Sequence, residues 1–147
     1  MLAWRLGLGL RRNDRLTEAR AEFVAAVEET LALKQAHYQA EDTRHNNKLD
    51  VDTPEARADP RWASSAEEVS ELRKLWTMAR VRVRQAFGRL QITDETICTR
   101  EFVEFVDRIT KLQGTHDVEV MRAEGARLTQ KWRPKPRRRW LGGRSTH

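Results

Sequence analysis

The run Val69-Ser70-Glu71-Leu72-Arg73-Lys74-Leu75-Trp76-Thr77-Met78-Ala79-Arg80-Val81-Arg82-Val83-Arg84-Gln85-Ala86-Phe87-Gly88-Arg89-Leu90 decides the fold. Val69, Leu72, Trp76, Ala79, Val83, Ala86 and Leu90 recur at alternating steps of three and four, which is the period of one helical face. Leu75 and Phe87 widen the stripe. A strand would place its apolar residues at every second position. A seam this narrow packs against neighbouring helices at a shallow angle. On this reading Trp76 is a core residue. Upstream, Ser64-Ser65-Ala66-Glu67-Glu68 holds two overlapping capping boxes, Ser64 with Glu67 and Ser65 with Glu68, which predict the helix start.

The same period runs through most of the chain. Leu16, Ala19, Phe23, Val27, Leu31 and Tyr38 predict a first helix over Arg15–His45, capped at Asn13 or Asp14. Lys34 fills the missing place in that stripe, where its alkyl stem can lie along the apolar face. Residues 46–63 read as a loop with one short helical turn, capped by Thr53, opened by Pro54 and stopped by Pro60. Cys98, Phe102, Phe105, Ile109 and Leu112, widened by Val106, predict a third helix from Thr93 or Asp94 to Gln113. Val118, Met121, Gly125, Leu128 and Trp132 form a fourth stripe, capped by Thr115. Gly114 is placed to end the third helix in the left-handed conformation. The step from Leu112 to Val118 puts the two stripes out of phase, so a break lies between them. A reversal there gives four antiparallel helices, and a kink gives three long ones. The expected fold is therefore all-α, an antiparallel bundle of three to four helices over residues 13–132, with reversal favoured.

Both ends differ from this body. At 147 residues, the chain is one domain by length, and folding can bury roughly 70% of the unfolded surface. Lys and Arg total 28 against 22 Asp and Glu. Seven of the basic side chains (Lys131, Arg133, Lys135, Arg137, Arg138, Arg139 and Arg144) fall in residues 131–147, which hold no acid. The rest of the chain keeps 21 basic against 22 acidic groups, so a neutral body carries a polycationic appendage. With Pro134 and Pro136 and no apolar period, residues 133–147 read as a disordered tail. Residues 1–12 form an apolar and basic leader, Met1-Leu2-Ala3-Trp4-Arg5-Leu6-Gly7-Leu8-Gly9-Leu10-Arg11-Arg12. It is too short for a span of about 20 apolar residues, and it lacks the charge order of a secretory signal. Its paired arginines follow the apolar stretch, as on the cytoplasmic side of a membrane anchor. That order suggests an anchor upstream of Met1 and a cytoplasmic location at the inner membrane face.

Residues suited to chemistry are sparse. His37, Glu41 and His45 share a helix face at steps of four, with Asp42 nearby, yet no second helix offers matching carboxylates, so no metal site is expected. The single cysteine, Cys98, falls on an apolar stripe far from any histidine and reads as buried and inert. Asp50-Val51-Asp52-Thr53-Pro54-Glu55 lacks the glycine and the distal glutamate of a calcium loop. Glu101, Glu104 and Asp107, like Glu67 and Glu68, lie off the stripes and read as solvated. Leu6-Gly7-Leu8-Gly9-Leu10 follows no strand and makes no phosphate cradle. Neither catalytic residues nor a cofactor nor a small-molecule substrate is expected, and the chain reads as non-enzymatic.

The aromatic side chains are more informative. Five Trp accompany one Tyr. Trp62 is expected at the loop end, and Trp132 closes the bundle. Trp4 and Trp140 sit beside arginines near the termini, where Trp serves bilayer or partner interfaces. Two functions follow. One is a helical interaction module at an anionic membrane surface, where each Lys or Arg contributes about 1 kcal/mol. The other is a nucleic-acid-associated protein whose tail contacts phosphates without sequence preference. The leader favours the membrane, because Leu2, Trp4, Leu6, Leu8 and Leu10 gain nothing against phosphate. A protein partner, or self-association through the helix seams, is compatible with either.

Overall fold

Phe23 packs against the rings of Phe87 at 5.8 Å and Phe102 at 6.5 Å, so three helical segments meet at one residue. The computed structural model describes residues 2–132, with backbone alone for 2–11 and Thr115. All regular structure in that range is helical. The elements are α1 (Leu2–Asn46), α2 (Pro54–Ala58), α3 (Arg61–Thr93), α4 (Arg100–Ile109) and α5 (Thr115–Thr129), with 3₁₀ turns at Glu95–Ile97 and Gln130–Trp132. None of the helices is long and apolar enough to cross a membrane, among the described residues.

Cross-links between the helices define the topology. Glu22 pairs with Arg89, Glu29 with Arg82 at 2.5 Å and Glu41 with Arg73 at 3.5 Å, so α3 runs antiparallel to α1. Glu101 pairs with Arg127 at 2.5 Å and Arg108 pairs with Glu124, so α5 runs antiparallel to α4. Arg122 donates to Gln35 at 3.2 Å, while Trp132 meets Phe23 edge-on at 6.2 Å, so α5 also runs against α1. The result is an up-down-up-down bundle of α1, α3, α4 and α5. The chain does reverse between Ile109 and Thr115. Two guanidiniums of α3 hold that reversal: Arg80 donates to the Thr110 carbonyl at 3.0 Å and Arg84 to its hydroxyl at 3.3 Å. Cations suit a helix C-terminus, where carbonyls are left unpaired.

The core follows the stripes. Phe23, Leu31, Val83, Leu90, Phe102, Phe105, Ile109 and Val118 are buried, with Leu16, Tyr38 and Trp132 packed at the edge. Burial of this kind stabilises by about 25 cal/mol per Å² of apolar surface. Gly125 lies where α5 crosses α4, and a Cβ there would come within 3.0 Å of the Phe105 ring. The Arg20 guanidinium meets Asp94 at 2.7 Å. Asp94 also accepts from the Thr96 amide at 3.1 Å, capping the turn that leads from α3 to α4. Burial raises this carboxyl, and the Thr96 and Arg20 hydrogen bonds outweigh burial to leave it below the usual range.

Several boundaries differ from expectation. The leader is not separate from the first helix: α1 starts at Leu2 and spans 45 residues, about 67 Å. Asn13 is interior to it, its carbonyl accepting from the Thr17 hydroxyl. The apolar leader residues are strong enough helix formers to carry two glycines. Likewise α3 opens at Arg61, because the Asp59 carboxylate takes the Arg61 amide at 2.8 Å. Ser64 and Ser65 instead donate back to the carbonyls of Arg61 and Trp62. The turn at 54–58 forms as read, with Thr53 accepting from Ala56. The third helix is interrupted at Cys98, since Thr99 caps a new start by accepting from the Phe102 amide. Ile97 therefore takes the buried place, and Cys98 is exposed. Gly114 is extended, with φ −127°, and stands before α5 instead of ending α4 in the left-handed region. Its amide donates to Asp117 at 3.1 Å. The tail reading for 133–147 lies outside the described residues.

Phe23→Ala is expected to cost about 3–5 kcal/mol in urea unfolding, the range for a deleted core aromatic. Gly125→Leu is expected to cost about 1–3 kcal/mol by overpacking against Phe105, despite its better helix propensity.

Candidate functional site

The polyanion site read from the sequence begins at the last described turn. Trp132 stacks on Phe102 at 5.7 Å, and the Arg20 guanidinium lies 5.3 Å from its ring. Lys131 is exposed, with its ammonium 5.4 Å from the Phe102 ring. It has no carboxylate partner among the described residues. Arg133, Lys135, Arg137, Arg138, Arg139, Arg144 and Trp140 lie outside the described residues, as does the side chain of Trp4. The structure thus fixes the departure point of the basic segment. That point is beside the turn Arg20–Phe23, from which α1 continues toward Leu2 for about 31 Å at 1.5 Å per residue.

A second polar cluster lies at the opposite end of the bundle, past the reversal. There the Lys34 ammonium is 4.4 Å from the Tyr38 ring centroid and 3.9 Å from that of Trp76. The Arg80 guanidinium covers Trp76 at 4.3 Å. Both cations thus lie against the one indole, each gaining from the negative face of the ring. Trp76 is consequently half-buried and not the deep core residue expected from the seam. Lys34 is buried, and burial lowers its pKa against the opposing pull of Glu41, with Arg80 and Arg73 adding to the depression. The Tyr38 hydroxyl is pushed up by burial, then by Asp117 and Glu41.

The histidine face does not come together. His37 turns into the bundle and is buried, whereas His45 is exposed and meets Asp50 at 2.6 Å. That hydrogen bond, helped by the carboxylate charge, raises the His45 pKa. No group of metal ligands occurs among the described residues. In the 50–55 segment Asp50 is taken by His45, and Asp52 pairs with Arg57 at 2.5 Å. Glu104 and Asp107 pair with Arg100 and Lys111 on the surface of α4, at 2.5 and 2.8 Å. Trp62 sits at the loop end, its indole donating to the Val51 carbonyl at 3.3 Å.

The Lys34–Trp76–Arg80 cluster was missed as a unit by sequence reading. Its signal was the lysine in an apolar stripe facing a seam Trp, with an arginine one turn after that Trp. Comparison with protein families, with curated proteins and with solved structures finds no match to this chain.

Between its depressed folded pKa and the ordinary value of 10.5, Lys34 holds fewer protons folded than unfolded, so stability rises with pH across that interval. Lys34→Met is expected to abolish that rise. It should change stability near neutral pH by less than about 1.5 kcal/mol, since a flexible apolar chain of similar size fills the same space. Urea unfolding near neutrality and at about pH 10 checks both statements.

Proposed function

We propose that the protein is a non-enzymatic helical module held at an anionic membrane surface, on the cytoplasmic side, by its two chain ends. One observation carries the reading: Trp132 packs on Phe23, so the basic segment leaves the bundle at the end from which α1 extends toward Leu2. On this reading the apolar residues Leu2, Trp4, Leu6, Leu8 and Leu10 and the cations Arg133, Lys135, Arg137, Arg138, Arg139 and Arg144 act together at one surface. Each kind of group supplies what the other lacks. Apolar side chains gain from the acyl boundary, at about 0.8 kcal/mol per buried CH₂, and cations gain from anionic head groups at about 1 kcal/mol each. Trp140 and Trp4 suit the interface between the two environments. The four-helix body is left to present its outer faces to a partner or to a second copy.

Vesicle co-sedimentation tests this. The full chain is expected to bind vesicles containing about 30% anionic lipid at low salt, and to ignore neutral ones. Deleting residues 133–147 should abolish binding while shifting the melting temperature by less than about 2 °C. Leu6→Ser with Leu10→Ser should weaken binding at least about tenfold. Unchanged vesicle binding by that variant, with duplex DNA bound at a salt slope of about −6, would replace this reading with the nucleic-acid one.

A further inference from the structure

The Glu41 carboxylate is shared between a residue of α3 and one of its own helix. Its Oε1 lies 3.5 Å from Arg73 of α3 and 3.6 Å from His37 Nε2, one turn back on its own helix. Neither contact has closed to a short hydrogen bond. His37 is buried, and neither of its ring nitrogens has a hydrogen-bond partner among the described residues. The surrounding charges are Lys34 and Glu41 on α1 and Arg73 on α3, while Asp117 of α5 acts on the neighbouring Tyr38.

We propose that Glu41 is a proton-controlled switch: with His37 neutral it bridges α1 to Arg73 of α3, and with His37 protonated it is drawn onto the imidazolium and the bridge between the helices is given up. The proton comes from solvent and resides on Nε2, which becomes a donor aimed at a carboxylate already in reach. The buried imidazolium attracts Glu41 through a medium of lower dielectric than the one around the exposed Arg73. It also repels Lys34 and Arg73, which adds to the separation. An interhelical tie is exchanged for an i, i+4 pair within one helix. The consequence falls on the end of the α1/α3 pair remote from Trp132, where the four-helix core no longer reinforces it.

Burial pushes His37 below its ordinary value of 6.5, Glu41 opposes this, and Lys34 and Arg73 add to it. The unfolded chain therefore holds more protons over the interval beneath 6.5, and the fold loses stability as pH falls through it. The His45–Asp50 pair has the opposite sign, losing its contribution as pH rises through the raised His45 pKa.

Amide hydrogen exchange along residues 61–73 of the full chain, at about pH 7.5 and at a pH below the His37 titration midpoint read by NMR, and corrected for intrinsic rates, tests the switch. Glu41→Gln is expected to raise the opening equilibrium of these amides by about twofold to fivefold at the higher pH, the scale of an exposed ion pair. At the lower pH it should change nothing there, because the bridge is already lost. His37→Gln should make the Glu41→Gln effect equal at both pH values. In the unaltered protein, the residue-resolved NMR titration of His37 should coincide with the rise in opening of these amides. An effect of Glu41→Gln that is the same at both pH values without the His37 change overturns the proposal. So does opening that follows the titration of His45 instead of His37.

Discussion

The bundle depends on one aromatic junction. Phe23 is fully buried and touches Phe87 of α3, Phe102 of α4 and Trp132 of the turn after α5. Tilted and edge-on ring pairs of this kind are worth about 0.5–1.5 kcal/mol each beyond the area they bury. Their larger effect is on register, because sliding any one helix against α1 breaks its contact at this level. Arg20, nearly one turn earlier on α1, adds direction to that constraint. It pairs with Asp94 and lies over Trp132, so a single guanidinium ties the exit from α3 to the end of α5. Asp94 in turn caps the turn that carries the chain across to α4. The aromatic contacts hold the helices together, and the ion pair fixes where two of them end.

The apolar stripes were legible because burial acts on side-chain periodicity, and periodicity survives without knowledge of the partner. Phe23, Val83, Phe105, Ile109 and Val118 are all buried where the stripes placed them. Helix ends were less legible, since each is decided by one hydrogen bond worth about 1 kcal/mol against a close competitor. Asp59 won over Ser64 and Ser65 for the start of α3. Thr99 inserted a new start into what read as one helix, and that change of phase exchanged the fates of Ile97 and Cys98. Trp76 failed for a different reason. The seam says which face points to α1, but not how many helices cover that face. The C-terminus of α4 is already engaged by Arg80 and Arg84, so beyond this level Trp76 is covered by cations and not by a fourth apolar helix.

The candidate site was legible as charge and not as geometry. Counting placed seven cations after residue 130, and the structure contributes the point from which they depart. Lys131 stands at that point, against Phe102, with the remaining six outside the described residues. The Lys34–Trp76–Arg80 cluster shows the converse limit. A lysine in an apolar stripe reads as a stem along a surface, and only the facing helix shows that its ammonium has an aromatic destination.

These two ends of the α1/α3 pair rest on different physics, and this separates their responses to solvent. The junction at Phe23 is held mainly by apolar contact, with the Arg20–Asp94 ion pair beside it as a charge-dependent tie. At the other end, where Val69 and Leu49 are also buried, Lys34, His37, Glu41 and Arg73 add charges whose balance moves with pH and salt. Residues 131 and 132 belong to the first end, against Phe102 and Phe23. The far end differs in kind, because there one partly buried carboxylate, Glu41, faces both a guanidinium of the neighbouring helix and an imidazole of its own.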